Sequence, residues 1–199
     1  MGTLEDIYTR EWFENDFKDL RPEFEIVAEA IGREFESYAG SALDIGCGPA
    51  MLLAHLLDRF DWTVGGVEGS SHGIEMAHAL FPHLEGCILH RDITELAPDN
   101  IDKPYGVIIC TEVAEHLEER HAPHLVRLVA SFHSPVVWTA APPGQAGHHH
   151  VNCKPFEYWR DLFANHGMRL DAEKTSNLQA RWRNLSRLSH MRNNAAVWV

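Results

Sequence analysis

The sequence predicts an α/β fold: a doubly wound, mostly parallel seven-stranded sheet with helices on both faces. Two observations predict it. Short apolar segments alternate with amphipathic segments along the 199 residues, which is typical of parallel sheets covered on both faces. Glycines or polar residues follow the apolar segments, and ligands bind at such strand ends in open α/β sheets.

The first four strands are separated by helical patterns. A helix is predicted over about 22–38, with Pro22 at its first position and apolar residues at helical spacing. The strand "ALDI" and the helix "PAMLLAHLLDRF" follow, and then the strand "TVGGVE" and the helix "SSHGIEMAHALF", which Pro82 ends. "GCILH" and "YGVIIC" are the third and fourth strands.

The second half continues the alternation. A turn of helix is predicted near Glu112 and a helix from Pro123, followed by the strand "PVVWTA" and the helix "PFEYWRDLFANHG". "MRLDAE" is predicted as the sixth strand, 177–191 as helical and "AAVWV" as the last strand. Residues 1–40 form an N-terminal helical segment, in which Trp12 and Phe13 belong either to a lid or to an anchor. Residues 41–199 form the ligand-binding domain.

The composition argues against several classes of function. A net charge of -12 argues against non-specific binding to nucleic acid or to an anionic membrane. No apolar run reaches the ~20 residues of a membrane span, and the acidic N-terminus lacks the layout of a signal peptide. The four cysteines lie far apart and are predicted to be reduced thiols. We therefore expect a cytoplasmic protein.

The stretch "LDIGCGPA" ends the first strand. Gly46 and Gly48 allow a tight turn and let a ligand approach the backbone. The third glycine of a pyrophosphate-binding loop is missing, and Asp44 beside the loop suits a cationic ligand better than a phosphate. The missing third glycine disfavours a nicotinamide-dependent oxidoreductase.

The next two strands end in further ligand-binding residues. In "VEGS", Glu68 can accept hydrogen bonds from both hydroxyls of a ribose, and Gly69 leaves room beside it. In "HRDIT", Asp92 can accept from the amine of an adenine while Ile93 packs on the ring. A glycine loop, an acid after strand two and an acid–apolar pair after strand three together predict a nucleoside-binding site.

These motifs, with "YGVIICTEVAEHL" and the closing "NNAAVWV", resemble the class I S-adenosylmethionine-dependent methyltransferases over most of residues 41–170. The resemblance implies that 41–199 is the S-adenosylmethionine-binding domain, with Thr111 also at the cofactor. Ala50 stands where many members have a third glycine. By resemblance, the methionine part is surrounded by Asp44, Gly46 and Gly48, the ribose is held by Glu68, and the adenine is held by Asp92 and Ile93.

A polar rim follows strands four and five. In "TEVAEH", Glu112, Glu115 and His116 are spaced to share one face of a helical turn, and His116 is a candidate general base. In "GHHHVN", His150 falls where related methyltransferases often carry a substrate-facing histidine. The predicted catalytic residues are Glu112, His116 and His150.

The same rim offers an alternative. Glu112, Glu115 and His116, with one of His148, His149 or His150, have the chemistry of a divalent metal site. This spacing resembles that of the small-RNA 3′-terminal 2′-O-methyltransferases, but it is also frequent in metal-free small-molecule enzymes. No metal is the favoured interpretation, and the acidic charge makes nucleic acid the less favoured substrate.

The sequence thus predicts methyl transfer from S-adenosylmethionine to an oxygen or nitrogen nucleophile of a small molecule. The alternatives are a metal-assisted RNA ribose 2′-O-methyltransferase and an enzyme that transfers another group of the cofactor or cyclises it. A non-catalytic cofactor-binding module is disfavoured, because a site without catalysis would not need several carboxylate and imidazole groups that face one point.

Overall fold

The computed structural model describes residues 3–37, 40–101 and 104–199. Within these ranges one six-stranded sheet has the order β3-β2-β1-β4-β5-β6. Its strands are β1 (Ser41–Ile45), β2 (Thr63–Glu68), β3 (Ile88–His90), β4 (Val107–Thr111), β5 (Val136–Thr139) and β6 (Ala196–Trp198). The helices are α1 (Leu4–Ile7), α2 (Arg10–Asp16), α3 (Arg21–Phe35), α4 (Met51–Phe60), α5 (Ser71–Leu80), α6 (Ala122–Ala130), α7 (Phe156–Ala164), α8 (Ala172–Arg181) and α9 (Ser189–Asn194).

The sheet is parallel except at one edge. Strand β1 lies at its centre between β2 and β4, with Asp44 paired to Gly66 on one side and Ile109 on the other. Strand β6 runs antiparallel to β5. Parallel pairing brings the carboxyl ends of β1, β2 and β4 to one edge, and the predicted doubly wound fold is confirmed.

Alternate residues of the strands contribute to two cores. On one face, Ala42 and Ile109 pack with helices α3, α4 and α8 around Ile31. On the other face, Leu43 and Ile108 pack with α6 and α7. Burial on both faces explains why these strands are continuously apolar rather than alternating. No helix in the described ranges is long and apolar enough to cross a membrane.

The predicted sixth strand is shorter than expected. Over "MRLDAE" the structure has only an isolated bridge between Leu170 and Trp198. Arg169 N donates to Val199 O at 2.8 Å, and Asp171 N donates to Val197 O at 2.8 Å. Asp171 then caps α8 by accepting from Lys174 N at 2.9 Å. The chain leaves the sheet because this cap starts a helix.

The predicted helix over 177–191 is interrupted. Helix α8 ends at Arg181, and α9 begins only at Ser189. Between them, the backbone N–H groups of Ser186, Arg187 and Leu188 donate to the carboxylate of Glu23 at 3.1, 3.0 and 2.8 Å. These bonds satisfy donors that would otherwise need a helical partner, so they hold the break open. The predicted helix over 22–38 ends as α3 at Phe35, and residue 38 lies outside the described residues.

Candidate active site

A cleft opens at the carboxyl ends of β1, β2 and β4, beneath the N-terminal segment. It consists of two adjoining cavities, which we call the Glu68 cavity and the Asp44 cavity after one residue of each. Every residue predicted to bind the cofactor or to act in catalysis lines one of them. The Glu68 cavity also contains Gly69, Asp92 and Ile93, and the Asp44 cavity contains Thr111 and His150. Both cavities are lined by Trp12, Phe17, Gly46, Gly48, Glu112 and His116.

The glycine loop after β1 requires glycine at two positions. Gly46 has φ +80° and Gly48 has φ +52°, values that residues with a side chain rarely adopt. A Cβ atom on Gly46 would lie 2.6 Å from Val113 Cγ2. The loop is anchored by Gly46 N and Cys47 N, which donate to Val67 O at 2.8 and 3.0 Å. Its backbone therefore forms the floor between the two cavities.

Glu68 is fixed by the loops on either side of it. Its Oε2 accepts from Gly48 N at 2.8 Å, and its Oε1 accepts from Ser70 N at 2.8 Å. Burial raises the pKa of this carboxyl, and the backbone N–H groups oppose the rise. Each carboxylate oxygen can accept more than one hydrogen bond, so both oxygens can still receive the hydroxyls of a ribose.

Asp44 lies beneath the glycine loop and is only 4% exposed. Burial, and next the charge of Glu68, raise the pKa of Asp44 to about 8. The free protein therefore holds this carboxyl largely protonated at neutral pH. A cationic ligand would favour the ionised form, because an opposite charge nearby lowers the pKa of a carboxyl.

Asp92 begins a short 3-10 turn after β3. Its Oδ1 accepts from Thr94 N at 2.8 Å and from Thr94 Oγ1 at 2.7 Å. The turn it caps, Ile93–Glu95, presents the largely buried Ile93 to the Glu68 cavity. A polar atom and an apolar surface are thus placed together, as adenine recognition would require.

The two glutamates after β4 are close together, but helical spacing is not the reason. Glu112 has φ +54°, and the helical turn begins only at Ala114. Glu112 N donates to Thr139 Oγ1 at 2.9 Å, and Glu115 Oε1 accepts from Ala141 N at 3.1 Å. The predicted shared helical face is therefore wrong, because Thr139 at the end of β5 and Ala141 just after it hold the two residues.

These carboxyls differ in charge. Glu115 is fully buried, and burial together with the charge of Glu112 raises its pKa well above the usual range. Burial acts in the same direction on Glu112, but His190, whose Nε2 lies 3.2 Å from Glu112 Oε2, lowers the pKa of that carboxyl. Glu112 therefore carries the negative charge of the pair.

The histidines of the rim form a cluster. The ring centroids of His116 and His150 are 5.0 Å apart. Burial, and next the neighbouring His150, lower the pKa of His116 to about 4. His116 is therefore neutral at pH 7 and a weaker base than an exposed histidine. One candidate ligand atom from each of Glu115, His116 and His150 lies within 4.8 Å of the others.

The N-terminal segment covers the cleft. Glu5 Oε1 accepts from Ser71 N at 2.7 Å at the start of α5. His148 Nε2 donates to Ile7 O at 2.7 Å, and its ring stacks on Trp12 with centroids 5.2 Å apart. The pKa of the Tyr8 hydroxyl is raised by burial and then by the charge of Glu68.

Among the residues that line the cleft, sequence reasoning missed Tyr8, Phe17 and His190. Phe17 follows Phe13 by four positions, so helical spacing offered a signal for it, whereas Tyr8 lies before α2 begins. His190 lies in α9, far along the chain from β4, and no local pattern indicates its contact with Glu112.

Comparisons agree with this geometry. Residues 42–135 match a family model described as a methyltransferase domain. A SAM-dependent methyltransferase from Archaeoglobus fulgidus aligns with TM-score 0.64 and 19% identity, over 81% of this chain and 75% of that one. The sugar N-methyltransferase KedS8 from Streptoalloteichus sp. aligns with TM-score 0.62 and 17% identity, over 86% and 87%. The small RNA methyltransferase HEN1 aligns with TM-score 0.58 and 22% identity, over 73% of this chain and 22% of that one.

A search of curated proteins finds no match. The matched domain, the fold and the ordered motifs nevertheless agree. Residues 42–135 thus form a methyltransferase domain, which confirms the S-adenosylmethionine-dependent methyltransferase family, the enzyme class and the cofactor predicted from the sequence.

Proposed function

We propose that this enzyme methylates an oxygen or nitrogen nucleophile of a small molecule. The observation that carries the proposal is the junction of the two cavities. Glu112 and His116 line both of them, together with Gly46 and Gly48. Groups able to handle a proton thus lie beside the predicted cofactor loop.

The residues of the cleft fit the cofactor. Gly46 and Gly48 line both cavities without a side chain, and Glu68 is held in place by two backbone N–H groups. In this proposal Glu68 holds the ribose, Asp92 and Ile93 hold the adenine, and the Asp44 side of the loop takes the methionine part with Thr111. When bound, S-adenosylmethionine supplies an electrophilic methyl group on a positively charged sulfur.

The chain's own groups then align the acceptor and remove its proton. Glu112, His116 and His150 are proposed for this role because all three line the Asp44 cavity. The likeness to KedS8, a sugar N-methyltransferase that this chain matches over 87% of its length, supports a small acceptor.

We also propose that the N-terminal segment, residues 1–40 in the predicted division of the chain, acts as a lid. Glu5 and Trp12 connect it to α5 and to the histidine rim. These contacts place its aromatic side chains over the cleft, where they would exclude water during transfer.

Calorimetric titration with S-adenosylhomocysteine tests the cofactor assignment, and mass spectrometry of the products tests the reaction. We expect binding and a product that carries one added methyl group. A product with a larger part of the cofactor attached, or a cyclised cofactor, would favour the alternative chemistry.

A second candidate is metal-assisted transfer to a hydroxyl. It is favoured by the close set of Glu115, His116 and His150. Glu115 Oε2 and His116 Nδ1 are buried and have no hydrogen-bond partner among the described residues, as ligand atoms would be. Titration with Mn²⁺, followed by electron paramagnetic resonance, tests this site. Binding that disappears in His150→Ala would support it, and activity unchanged by EDTA would contradict it.

A further inference from the structure

We propose that the methyl acceptor is a small amine, recognised in its protonated form by the acidic and aromatic walls of the cleft. The inference rests on the proposed function and adds the chemical class of the acceptor. Three features carry it: the charge of the lining residues, the state of Glu112, and the arrangement of three aromatic rings.

The lining residues carry negative charge without fixed positive charge. Among residues 3–37, 40–101 and 104–199, none that lines either cavity is lysine or arginine. Arg187 lies near, but it donates to the backbone oxygens of Asp16 and Lys18 and lines neither cavity. The carboxyl groups of the lining are those of Asp16, Asp44, Glu68, Asp92 and Glu112, and all but the buried Asp44, which is largely protonated in the free protein, can contribute negative charge.

This charge balance selects against anions. An acceptor that carries a phosphate or carboxylate and no positive charge of its own loses water in the cleft without gaining a permanent counter-charge, which is costly in a partly buried site. His190 can be positive, but it is paired with Glu112, so the pair brings no net positive charge. An ammonium group, by contrast, would find carboxylates as counter-charges in the cleft.

Glu112 has unused hydrogen-bonding capacity. Its backbone is fixed by Thr139, and its Oε2 lies against His190. Its Oε1 is buried without a partner at normal hydrogen-bond geometry among the described residues, and the neighbouring side chains of Thr139 and Glu115 help to keep Glu112 ionised. Since buried carboxylate oxygens are normally paired, an N–H group of a bound ammonium would supply what Glu112 Oε1 lacks.

Aromatic rings also line the cleft. The rings of Tyr8 and Trp12 meet edge to face with centroids 5.0 Å apart, and those of Trp12 and Phe17 meet edge to face at 5.7 Å. Trp12 and Phe17 line both cavities. Aromatic faces attract cations, and the same rings can pack on an apolar body. The acceptor is therefore an amine carried on a compact apolar group.

Three probes of the same shape test this. Protein saturated with S-adenosylhomocysteine, in EDTA, is titrated with 2-phenylethylamine, 2-phenylethanol and phenylacetate. We expect the amine to bind at least about tenfold more tightly than phenylacetate and several-fold more tightly than the alcohol. Equal or tighter binding of the alcohol or of phenylacetate overturns the proposal, as does failure of all three to bind.

Matched variants test which residues cause the preference for the amine. Asp16→Asn and Glu112→Gln should each reduce the ratio of amine to alcohol affinity, whereas Glu14→Gln, an exposed acid on the same helix as Asp16, should leave it unchanged. Trp12→Leu provides a test that removes no charge. A ratio unchanged in Asp16→Asn, Glu112→Gln and Trp12→Leu overturns the assignment to these walls. If the native protein binds no S-adenosylhomocysteine, the proposed function is refuted instead. The affinities of the three probes would then be measured on the protein without S-adenosylhomocysteine, to test the amine preference separately.

Discussion

The two halves of the cleft are held in place by different kinds of contact. In the cofactor half, after β1 to β3, Glu68 and Asp92 accept hydrogen bonds from backbone N–H groups two residues further on, and Glu68 also accepts from Gly48 N. In the acceptor half, after β4 and β5, side chains from distant segments meet, as Glu112 and His190 do. The first half is thus specified locally, whereas the second depends on tertiary packing. The halves should therefore respond differently to substitution.

The largest effect should come from the histidines of the acceptor half. We expect His116→Ala and His150→Ala each to lower turnover by about 1,000-fold, because positioned proton-transfer groups contribute on this order. Affinity for S-adenosylhomocysteine, measured by calorimetry, should stay within about twofold, because neither histidine is among the residues proposed to hold the cofactor. Unchanged turnover in both variants would remove these residues from the mechanism. A comparable loss of cofactor affinity would instead show that the two halves are not separable.

Glu68→Gln should give the complementary result. The amide has one acceptor and places N–H donors against Gly48 N or Ser70 N, so it leaves a buried donor unpaired. We expect S-adenosylhomocysteine affinity to fall by about 100-fold, equivalent to ~2.7 kcal/mol. Glu85→Gln, at an exposed position, is the control. Affinity equal to that of the control would show that the ribose is not held by Glu68.

The same contrast explains what could be predicted from the sequence. Gly46, Glu68 and Asp92 each stand at the end of an apolar strand, so local patterns located them. Tyr8 and His190 reach the cleft from opposite ends of the chain, and their positions depend on how α1 and α9 pack. The shortened sixth strand was missed because Asp171 satisfies a helix cap, which competes with strand pairing.

Asp44 should make both cofactor affinity and stability depend on pH. Its pKa of about 8 in the folded protein lies above the ordinary value of about 3.9. The stability that this group contributes is present below the ordinary pKa and is lost as pH rises toward 8. Binding of the cationic cofactor favours the ionised carboxyl, so affinity should rise about tenfold between pH 6.5 and pH 8. Calorimetry across this range should show proton release on binding.

Asp44→Asn is the matched variant for this measurement. It cannot ionise, so both the affinity rise and the proton release should disappear, and the free protein should lose less stability as pH increases. A native affinity that falls between pH 6.5 and pH 8 would show that the cofactor binds beside a protonated Asp44.

Trp12→Leu should have a smaller effect, because it removes the stack on His148 but keeps an apolar side chain. We expect S-adenosylhomocysteine affinity to fall about fivefold, since one aromatic pair contributes about 1 kcal/mol. Cleavage of the N-terminal segment by trypsin should also become faster. Phe156→Leu, an exposed aromatic on α7, should change neither measurement. Equal protection of the segment in the Trp12 variant and the native protein would argue against a lid.

The smallest expected effect tests whether the backbone conformation of Ala50, rather than its side chain, determines the structure of the loop after β1. Ala50 precedes α4 with φ +56°, a left-handed conformation that costs alanine about 1 kcal/mol. In Ala50→Gly, relief of this strain should offset the loss of a buried methyl group. We expect the free energy of unfolding to stay within about 0.5 kcal/mol of the native value. Ala54→Gly, inside the same helix, should cost about 1 kcal/mol or more. Equal costs in urea unfolding would mean that the side chain of Ala50, rather than its backbone conformation, determines the loop.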